Sequence, residues 1–422
     1  MTATAVPPPI PKWSSNMSDT TLLPASRRRF LRTTAALGAA AVAGPTLAAS
    51  VTLPFENGER ELVAFPQKRP LILLTSRPPQ LETPFSVFNE GAITPNDAFF
   101  VRYHWSGLPT SIDGGSYRLR IKGLVKEPLE LSLAELKKLA EPVDVVAVTQ
   151  CSGNSRGFFA PRANGGQLGN GAMGNARWTG IPLKTVLEKA GIAAGAVQVV
   201  FNGLETPPVG DGPDFQKALS VEHIMAGDVL LAWAMNGEDI PFLNGYPLRL
   251  IVPGYYGTYW VKHLNDITVL DKPFDGFWMS TGYRIPDNGS GFIEPGTPVG
   301  KTTPISRLNV RSFITSVQDG AHVKAGRDLA LRGIAFDGGQ GISEVAISAD
   351  GGHSWQEARL GKDLGRFSFR EWSMVLKAPR KGKHVLMVRA VNRIGQSQPM
   401  KALWNPMGYM RNVVETTRIQ AV

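Results

Sequence analysis

The stretch "EPGTPVGKTTP", residues 294–304, separates two parts of the chain that differ in their pattern of apolar residues. Before it, "SYRLRIKGLV" (116–125) alternates apolar and polar residues as a half-buried strand does. By contrast, "LSLAELKKLA" (131–140) and "IPLKTVLEKAG" (181–191) have helical spacing, and the first carries the Ser-x-x-Glu pattern of a capping box. This mixture predicts an α+β domain.

After residue 304 the helical periodicity disappears. Runs such as "DLALRGIAF", "GISEVAISADGGHSWQEARL" and "HVLMVRAVN" follow one another at short intervals, separated by Gly and Asp turns. Within the second run, residues 350–352 (Asp-Gly-Gly) predict the tip of a hairpin. About seven short strands in this part are typical of an immunoglobulin-like β-sandwich. We therefore predict an α+β domain over residues 51–293 followed by an all-β immunoglobulin-like sandwich over residues 294–422.

The N-terminal part contains an export pattern. In "SRRRFLRTTAALGAAAVAGPTLAAS" (26–50), three arginines precede Phe30 and Leu31, and a mildly apolar stretch without acidic residues follows. This arrangement is typical of a twin-arginine export signal. The apolar part is too short and too weak for a membrane span, which needs ~20 strongly apolar residues. We therefore predict that residues 1–50 are an export signal with a disordered N-terminus, and that the protein is periplasmic without a membrane span.

Composition excludes several classes of protein. The chain has 422 residues, of which 43% are hydrophobic and 19% charged, as in a soluble globular protein. Its one cysteine excludes an intrachain disulfide framework and cysteine-rich zinc or iron–sulfur sites. Covalent c-type haem within this chain is excluded too, because C-x-x-C-H requires two thiols. The net charge of +10 comes without a basic run interleaved with aromatic residues, so we expect no nucleic-acid partner.

The single cysteine lies in "VAVTQCSGNSRGFF" (146–159), where an apolar run enters a turn. Backbone amides in such a turn can form an anion-binding concavity. Arg156, five residues beyond Cys151, would favour the thiolate. From the residues alone Cys151 is a buried apolar residue, a metal ligand or a nucleophile, and a nucleophile would need a histidine base such as His104.

Two further segments could line a site. In "FFVRYHW" (99–105), strand alternation puts Arg102 and His104 on one face, where they could join Arg156 around a small oxyanion. The glycines of "LNGYPLRLIVPGYYGTYWVKHL" (243–264) would permit close approach of the backbone to a ligand. Each segment also has a plain structural interpretation, a strand with one satisfied histidine and ordinary surface cations.

Together, "TQCSGNSRGFF", "FFVRYHW", "QLGNGAMGNARWTGIPLKTVLEKAG" and "DGGHSW" resemble the sulfite oxidase family of molybdenum enzymes. The resemblance is greatest to the molybdopterin subunit of bacterial periplasmic sulfite:cytochrome c oxidoreductases, and it covers essentially all of the chain beyond the export segment. It implies a molybdopterin-binding domain followed by an immunoglobulin-like domain. It also implies a sulfite dehydrogenase, which oxidises sulfite to sulfate at a molybdenum–molybdopterin centre and passes electrons to a c-type cytochrome.

The resemblance assigns roles to individual residues. Cys151 falls on the position of the thiolate that ligates molybdenum, the pterin dithiolene and oxo groups supplying the other ligands. Arg102 and Arg156 match substrate-binding arginines and Tyr283 an active-site tyrosine, so these three are predicted to be catalytic. The predicted cofactor-binding residues are Phe100, Val101, Arg102, Tyr103, His104, Cys151, Asp214, Asn244, Arg249, Trp260, Val261 and Lys262.

Two positions depart from the animal enzymes of this family. Leu168 stands in place of a tryptophan at the substrate pocket, and Asn244 in place of a cofactor-binding histidine. The chain has no cytochrome b5-like haem domain, so the resemblance implies a separate c-type cytochrome, as a subunit or a soluble acceptor, and a homodimer or heterodimer. Three alternatives stay open: the molybdenum subunit of a sulfane dehydrogenase in a thiosulfate-oxidising system, a Cys–His hydrolase, and an exported binding protein.

Overall fold

The computed structural model describes residues 49–422, which lie in one compact unit built mainly of strands. Most of the predicted export signal lies outside the described residues, but Ser50 already begins the first strand. None of the helices within residues 49–422 is long and apolar enough to cross a bilayer. The helices are α1 (Leu133–Lys137), α2 (Leu183–Ala190), α3 (Val221–Met225) and α4 (Phe277–Ser280), with 3-10 turns at Phe85–Asn89, Asn96–Ala98, Arg156–Phe158, Phe242–Asn244 and Gly257–Tyr259.

Both predicted helices form, but each is shorter than its sequence pattern. At α1, Ser132 and Glu135 make the predicted capping box, with the Glu135 amide donating to Ser132 Oγ at 3.2 Å. The second helix begins only at Leu183, because the two residues before it complete a strand. It ends at Gly191, whose φ of 68° lies in the left-handed region that glycine adopts without steric cost. The α+β prediction therefore overestimated the helical share of this part.

Three sheets lie wholly before residue 294. One joins five consecutive strands and the other two join strands distant in sequence, while Arg284–Pro286 pairs with Thr302–Pro304 in a two-stranded sheet. The sheet orders are β1-β2-β3-β4-β5, β11-β10-β15-β6-β7 and β13-β12-β9-β8, with β14 also paired to β12. Only β6 and β15 run parallel among these strands within residues 49–293. The strands are β1 (Ser50–Thr52), β2 (Glu59–Val63), β3 (Leu71–Thr75), β4 (Gln80–Glu82), β5 (Val101–Arg102), β6 (Arg118–Gly123), β7 (Leu129–Ser132), β8 (Val143–Gln150), β9 (Met173–Pro182), β10 (Gln198–Gly203), β11 (Lys217–Ser220), β12 (Leu230–Met235), β13 (Glu238–Asp239), β14 (Arg249–Ile251), β15 (Leu264–Leu270) and β16 (Arg284–Pro286).

The part after residue 294 consists of strands, as expected, and residues 302–421 contain no helix. Two sheets are present, β18-β20-β24-β23 and β19-β26-β25-β21-β22. The predicted hairpin tip at 350–352 lies between the paired strands β21 and β22. The immunoglobulin-like topology itself stays a prediction. The strands are β17 (Thr302–Pro304), β18 (Arg311–Ile314), β19 (Ala321–Val323), β20 (Leu329–Phe336), β21 (Ile342–Ser348), β22 (Gln356–Glu357), β23 (Arg359–Leu360), β24 (Arg370–Leu376), β25 (Gly382–Asn392) and β26 (Glu415–Ala421).

Side chains from both sides of 294–304 share one hydrophobic core. Phe313 and Phe336 belong to the same buried cluster as Trp178. The fully buried Arg311 donates to Ser155 Oγ at 3.0 Å and pairs with Glu415 at 2.7 Å, so it joins β18 and β26 to the turn after Cys151. The C-terminal sheets are therefore packed directly against the region of the single thiol. The division into separate domains at residue 294 stays a prediction.

Candidate active site

Cys151 follows the last residue of β8 and is 9% exposed. Its amide donates to Ala172 O at 2.9 Å, and its own carbonyl accepts from the Asn154 amide at 2.9 Å. The turn is completed by Ser155, whose φ of 69° is unusual for a residue with a side chain. These bonds fix the thiol at the point where two cavities meet.

Both cavities are lined by Arg102, His104, Cys151, Ser152 and Tyr283. We call the first of these the basic cavity. The second, which we call the arginine–tyrosine cavity, shares these five residues with the first. The basic cavity adds Phe100, Thr149, Phe215, Asn244, Arg249, Thr258 and Lys262, and the arginine–tyrosine cavity adds Arg156, Leu168, Trp278, Met407 and Tyr409.

Positive charge dominates the basic cavity. Arg102, Arg249 and Lys262 line it, and no carboxylate of residues 49–422 does. Burial lowers the pKa of Lys262 to about 8, partly offset by Glu205, and burial lowers the pKa of Arg249 to about 10. The Arg249 guanidinium is 5.1 Å from the Trp178 ring, which contributes a cation–π contact. Such a cluster of buried cations favours an anionic ligand.

Several polar atoms that line the basic cavity lack a protein partner. Thr149 Oγ1, Ser152 Oγ, Thr258 Oγ1 and Arg249 Nε are buried and make no hydrogen bond with residues 49–422. Buried polar groups in folded proteins are nearly always paired, and an unpaired one costs about 1–3 kcal/mol. Their convergence on one cavity indicates a bound ligand rich in hydrogen-bonding groups.

Arg156 dominates the arginine–tyrosine cavity. Its Nε donates to Met407 O at 2.6 Å and its Nη1 to Gly166 O at 2.9 Å. Its guanidinium lies 5.3 Å from the Tyr409 ring. Two of its three nitrogens are thus occupied by backbone carbonyls, which leaves Nη2 for a small anion.

His104 connects this cavity to a buried carboxylate. Its Nε2 is hydrogen-bonded to the Tyr283 hydroxyl, and its Nδ1 lies 3.8 Å from Glu205 Oε1. We place the ring proton on Nδ1, which faces the carboxylate, so that Nε2 accepts from the hydroxyl. Burial and the charge of Arg102 lower the pKa of His104 to about 3, so the imidazole is neutral near pH 7. The imidazole therefore adds no positive charge beside Arg102 at this pH. Because Nε2 is taken by Tyr283, the geometry also disfavours a Cys–His hydrolase, whose base must face Cys151.

Most predicted site residues meet around these cavities, but not all of them do. The side chains of Val101, Tyr103, Trp260 and Val261 are buried and lie outside both linings. Asp214 is exposed, accepts from Asn202 Nδ2 at 3.3 Å and lies in a separate surface groove. The cavity linings contain Phe100, Arg102, His104, Cys151, Arg156, Leu168, Asn244, Arg249, Lys262 and Tyr283. The functional roles of all these residues remain predictions.

Sequence reasoning missed other residues of the site. Thr149 and Ser152 lie inside the quoted cysteine motif, and Thr258 lies in the glycine-rich segment 243–264, so their hydroxyls could have been considered. Glu205, which accepts from the backbone amides of His104 and Trp105, had no local motif. Nor did Tyr409, which reaches the site from the far end of the chain.

Comparison with known proteins agrees with this site. Residues 106–278 match the oxidoreductase molybdopterin binding domain, and residues 302–421 match the Mo-co oxidoreductase dimerisation domain. The chain is 32% identical to mitochondrial sulfite oxidase of Mus musculus over 85% of this chain and 67% of that protein. It is 30% identical to sulfite oxidase of Arabidopsis thaliana over 85% and 96% of the two chains. The chain belongs to the sulfite oxidase family.

A solved structure is similar as well. The sulfane dehydrogenase SoxCD from Paracoccus pantotrophus superposes with a TM-score of 0.68 and 26% identity, covering 85% of this chain and 87% of that one. As a member of the sulfite oxidase family, the chain is a molybdopterin-binding oxidoreductase. Within residues 49–422 no cluster of three or more His, Cys, Asp or Glu could hold a metal ion.

The basic cavity fits such a cofactor. A phosphorylated pterin is anionic and carries many donors and acceptors, which the buried cations and the unpaired hydroxyls around the cavity could satisfy. Cys151 also lines this cavity and offers a soft sulfur ligand, of the kind that suits molybdenum. The donor set and the position of the thiol therefore agree with the group that the family implies.

Proposed function

We propose that this protein oxidises sulfite to sulfate at a molybdenum–molybdopterin centre and passes the electrons to a c-type cytochrome. One observation carries the proposal: Cys151 lines both the basic cavity, which no carboxylate of residues 49–422 lines, and the cavity that holds Arg102, Arg156 and Tyr283. The first cavity suits the cofactor and the second suits a small oxyanion.

The residues of the basic cavity would hold the cofactor. Cys151 would be the protein ligand to molybdenum, Arg249 and Lys262 would bind the phosphate and pterin, and the hydroxyls of Thr149 and Ser152 would donate to it. When bound, the cofactor supplies oxygen-atom transfer to sulfur and accepts two electrons. Overall, sulfite and water yield sulfate, two protons and two electrons.

Arg102 and Arg156 would bind sulfite from two directions. The bonds of Arg156 to Met407 O and Gly166 O hold its guanidinium in place, so little side-chain entropy is lost when Nη2 meets the anion. The guanidinium of Arg102 is also held in place, because its Nη1 donates to Tyr103 O. A preorganised pair of this kind raises affinity without requiring a rearrangement on binding.

Tyr283, with His104 behind it, would form hydrogen bonds to water or to a protonated substrate. Since the neutral His104 accepts from the Tyr283 hydroxyl, both lone pairs of that oxygen remain able to accept a hydrogen bond from water or a protonated substrate. Tyr283 has a φ of 58°, an unfavourable conformation for a tyrosine that is held by its surroundings. Burial raises the pKa of Tyr283, which keeps the hydroxyl protonated.

The remaining parts of the proposal concern the setting of the reaction. The match of residues 302–421 to a dimerisation domain supports a dimer. Residues 26–50 support export by the twin-arginine route to the periplasm, where a c-type cytochrome would take the electrons one at a time. The partner would be a separate subunit or a soluble protein.

The test combines metal content with turnover. Protein purified from a host that makes the cofactor is measured for molybdenum per chain and for sulfite-dependent reduction of cytochrome c. We expect close to one molybdenum per chain and turnover that requires sulfite. A chain without molybdenum, or one that is fully loaded but inert towards sulfite, would contradict the proposal.

A second candidate is the molybdenum subunit of a sulfane dehydrogenase, which the similarity to SoxCD favours. Its substrate would be sulfur bound to a carrier protein. Molybdenum-loaded protein that ignores free sulfite but reduces cytochrome c with a carrier-bound sulfane would support this candidate over the first.

A further inference from the structure

The turn at residues 405–410 comes from the C-terminal part of the chain and is anchored to the cysteine region. The Met410 amide donates to Ser152 O at 2.9 Å, directly beside Cys151. Asn405 closes the turn twice, because its Oδ1 accepts from the Tyr409 amide at 3.0 Å and its Nδ2 donates to Tyr409 O at 2.9 Å. Tyr409 is therefore held in a fixed position although it lies in a loop.

Three consecutive residues of this turn contact Arg156. Met407 O accepts from Arg156 Nε at 2.6 Å. A Cβ added to Gly408 would lie 2.7 Å from Arg156 Cγ, so glycine alone allows this approach, and its φ of 54° also favours glycine. The Tyr409 ring lies 5.3 Å from the guanidinium, within cation–π range.

The same tyrosine also supports the second predicted catalytic residue. The rings of Tyr409 and Tyr283 are stacked, with centroids 5.4 Å apart and planes at 21°. Tyr283 adopts its unfavourable φ of 58° and needs contacts that hold it there. Tyr409 is 7% exposed, so this stack is largely shielded from water.

We propose that Tyr409 is a positioning residue for the anion site, whose ring holds Arg156 and Tyr283 in the geometry that binds the substrate oxyanion. The proposal rests on the proposed function for its substrate, a small divalent oxyanion. We assign the action of Tyr409 to its ring, which makes the cation–π contact to Arg156 and the stack on Tyr283. Its hydroxyl also interacts with the backbone of Tyr283, and the phenylalanine variant separates the two contributions. Substrate affinity is therefore set partly by a residue outside the part that carries the cysteine.

The experiment uses the cofactor-loaded full chain and two readouts, the KM and kcat for sulfite and the Kd for sulfate measured by calorimetry. For Tyr409→Leu we expect KM and Kd each to rise roughly 10-fold, as loss of a shielded cation–π contact predicts, with kcat within about 3-fold. Tyr409→Phe keeps the ring and should stay within about 2-fold of the wild type in both. Tyr409→Met is measured in parallel in case the leucine variant folds poorly, because methionine fills more of the space left by the ring than leucine does.

The matched control is Tyr255→Leu. Tyr255 also lies 5.3 Å from an arginine, Arg307, but lines neither cavity, so its loss should leave KM and Kd unchanged. A leucine or methionine variant that binds sulfate as the wild type does would overturn the proposal. So would a phenylalanine variant as weak as leucine. If the wild type binds sulfate but does not turn over sulfite, the proposed function fails while the sulfate Kd values still decide the role of Tyr409.

Discussion

The two cavities that Cys151 lines differ in how fully their polar groups are paired with the protein. In the basic cavity, three hydroxyls and Arg249 Nε are buried without hydrogen-bond partners among residues 49–422, so the folded protein carries a free-energy cost that a ligand can remove. In the arginine–tyrosine cavity, Arg156 is already bonded to two backbone carbonyls and lies beside Tyr409. The polar groups of the basic cavity need a permanently bound ligand to pair with, whereas Arg156 in the arginine–tyrosine cavity is already held in position before a ligand binds. Loss of the cofactor should therefore lower stability more than loss of the substrate, whose binding adds only its own mass-action contribution.

The largest effect is expected at the thiol shared by both cavities. In Cys151→Ser, a hard hydroxyl replaces the soft sulfur, and we expect molybdenum content and sulfite turnover to fall by more than the roughly 10–100-fold typical of losing an outer-shell partner. Metal analysis and cytochrome c reduction measure both quantities. Cys151→Ala should behave alike, since neither variant offers a thiolate. A serine variant with normal metal content and rate would show that Cys151 is only a buried residue.

The next effect is the free-energy cost of burying Lys262 in the basic cavity. Burial lowers the pKa of Lys262 to about 8 in the folded protein, against an ordinary value of 10.5. Between these values the unfolded chain binds more protons, so the stability of cofactor-free protein should rise with pH from about 8 to 10.5, by ~3 kcal/mol for this group. Urea unfolding at several pH values measures it.

Two controls test whether this rise of stability with pH comes from the basic cavity. In cofactor-free Lys262→Met the rise with pH should be smaller than in the wild type by the share of Lys262. In cofactor-loaded wild type it should also shrink, because a bound anion favours the charged lysine. Equal slopes in loaded and cofactor-free protein would contradict the assignment of the anionic group to this cavity.

A smaller effect is expected in the arginine–tyrosine cavity. Arg156→Gln removes a charge-assisted hydrogen bond worth about 1.5–3 kcal/mol, so the KM for sulfite should rise roughly 10–100-fold. Because Arg156 does not line the basic cavity, the difference in stability between loaded and cofactor-free protein should be the same in this variant as in the wild type. Arg162→Gln, which alters an exposed arginine six residues on, is the control and should have a normal KM. An unchanged KM in Arg156→Gln would reject its role in binding substrate.

The smallest effect comes from displacing Arg156 without removing it. A Cβ at Gly153 would lie 2.4 Å from Arg156 Nη2, so in Gly153→Ala the guanidinium must shift. We expect a KM about 5-fold higher, equivalent to about 1 kcal/mol of the bond to the anion. Gly210→Ala, where an added Cβ has nothing within 4 Å, should have no effect. Equal KM values for the two variants would show that the position of Nη2 does not matter.

Sequence patterns were informative where function depends on a continuous segment. Cys151, Arg156 and Thr149 lie within one strand and its following turn, and the backbone of that segment fixes their mutual geometry. The alternation of Arg102 and His104 likewise predicted that both would reach one site. The charge of His104 could not be predicted in this way, because it depends on burial by elements distant in sequence.

By itself, the sequence determined the family, the change of architecture near residue 294, and the thiol with its nearby arginine. Each of these depends on local periodicity or on a continuous motif, and both can be recognised without the tertiary structure. The tertiary structure alone decided that Asp214 lies apart from the cavities and that Tyr409 joins them. Those outcomes depend on how the 405–410 turn packs beside Ser152, about 250 residues away in the chain. Contacts of such long sequence separation leave no periodic trace, since they arise only when sheets assembled from distant strands close around the site.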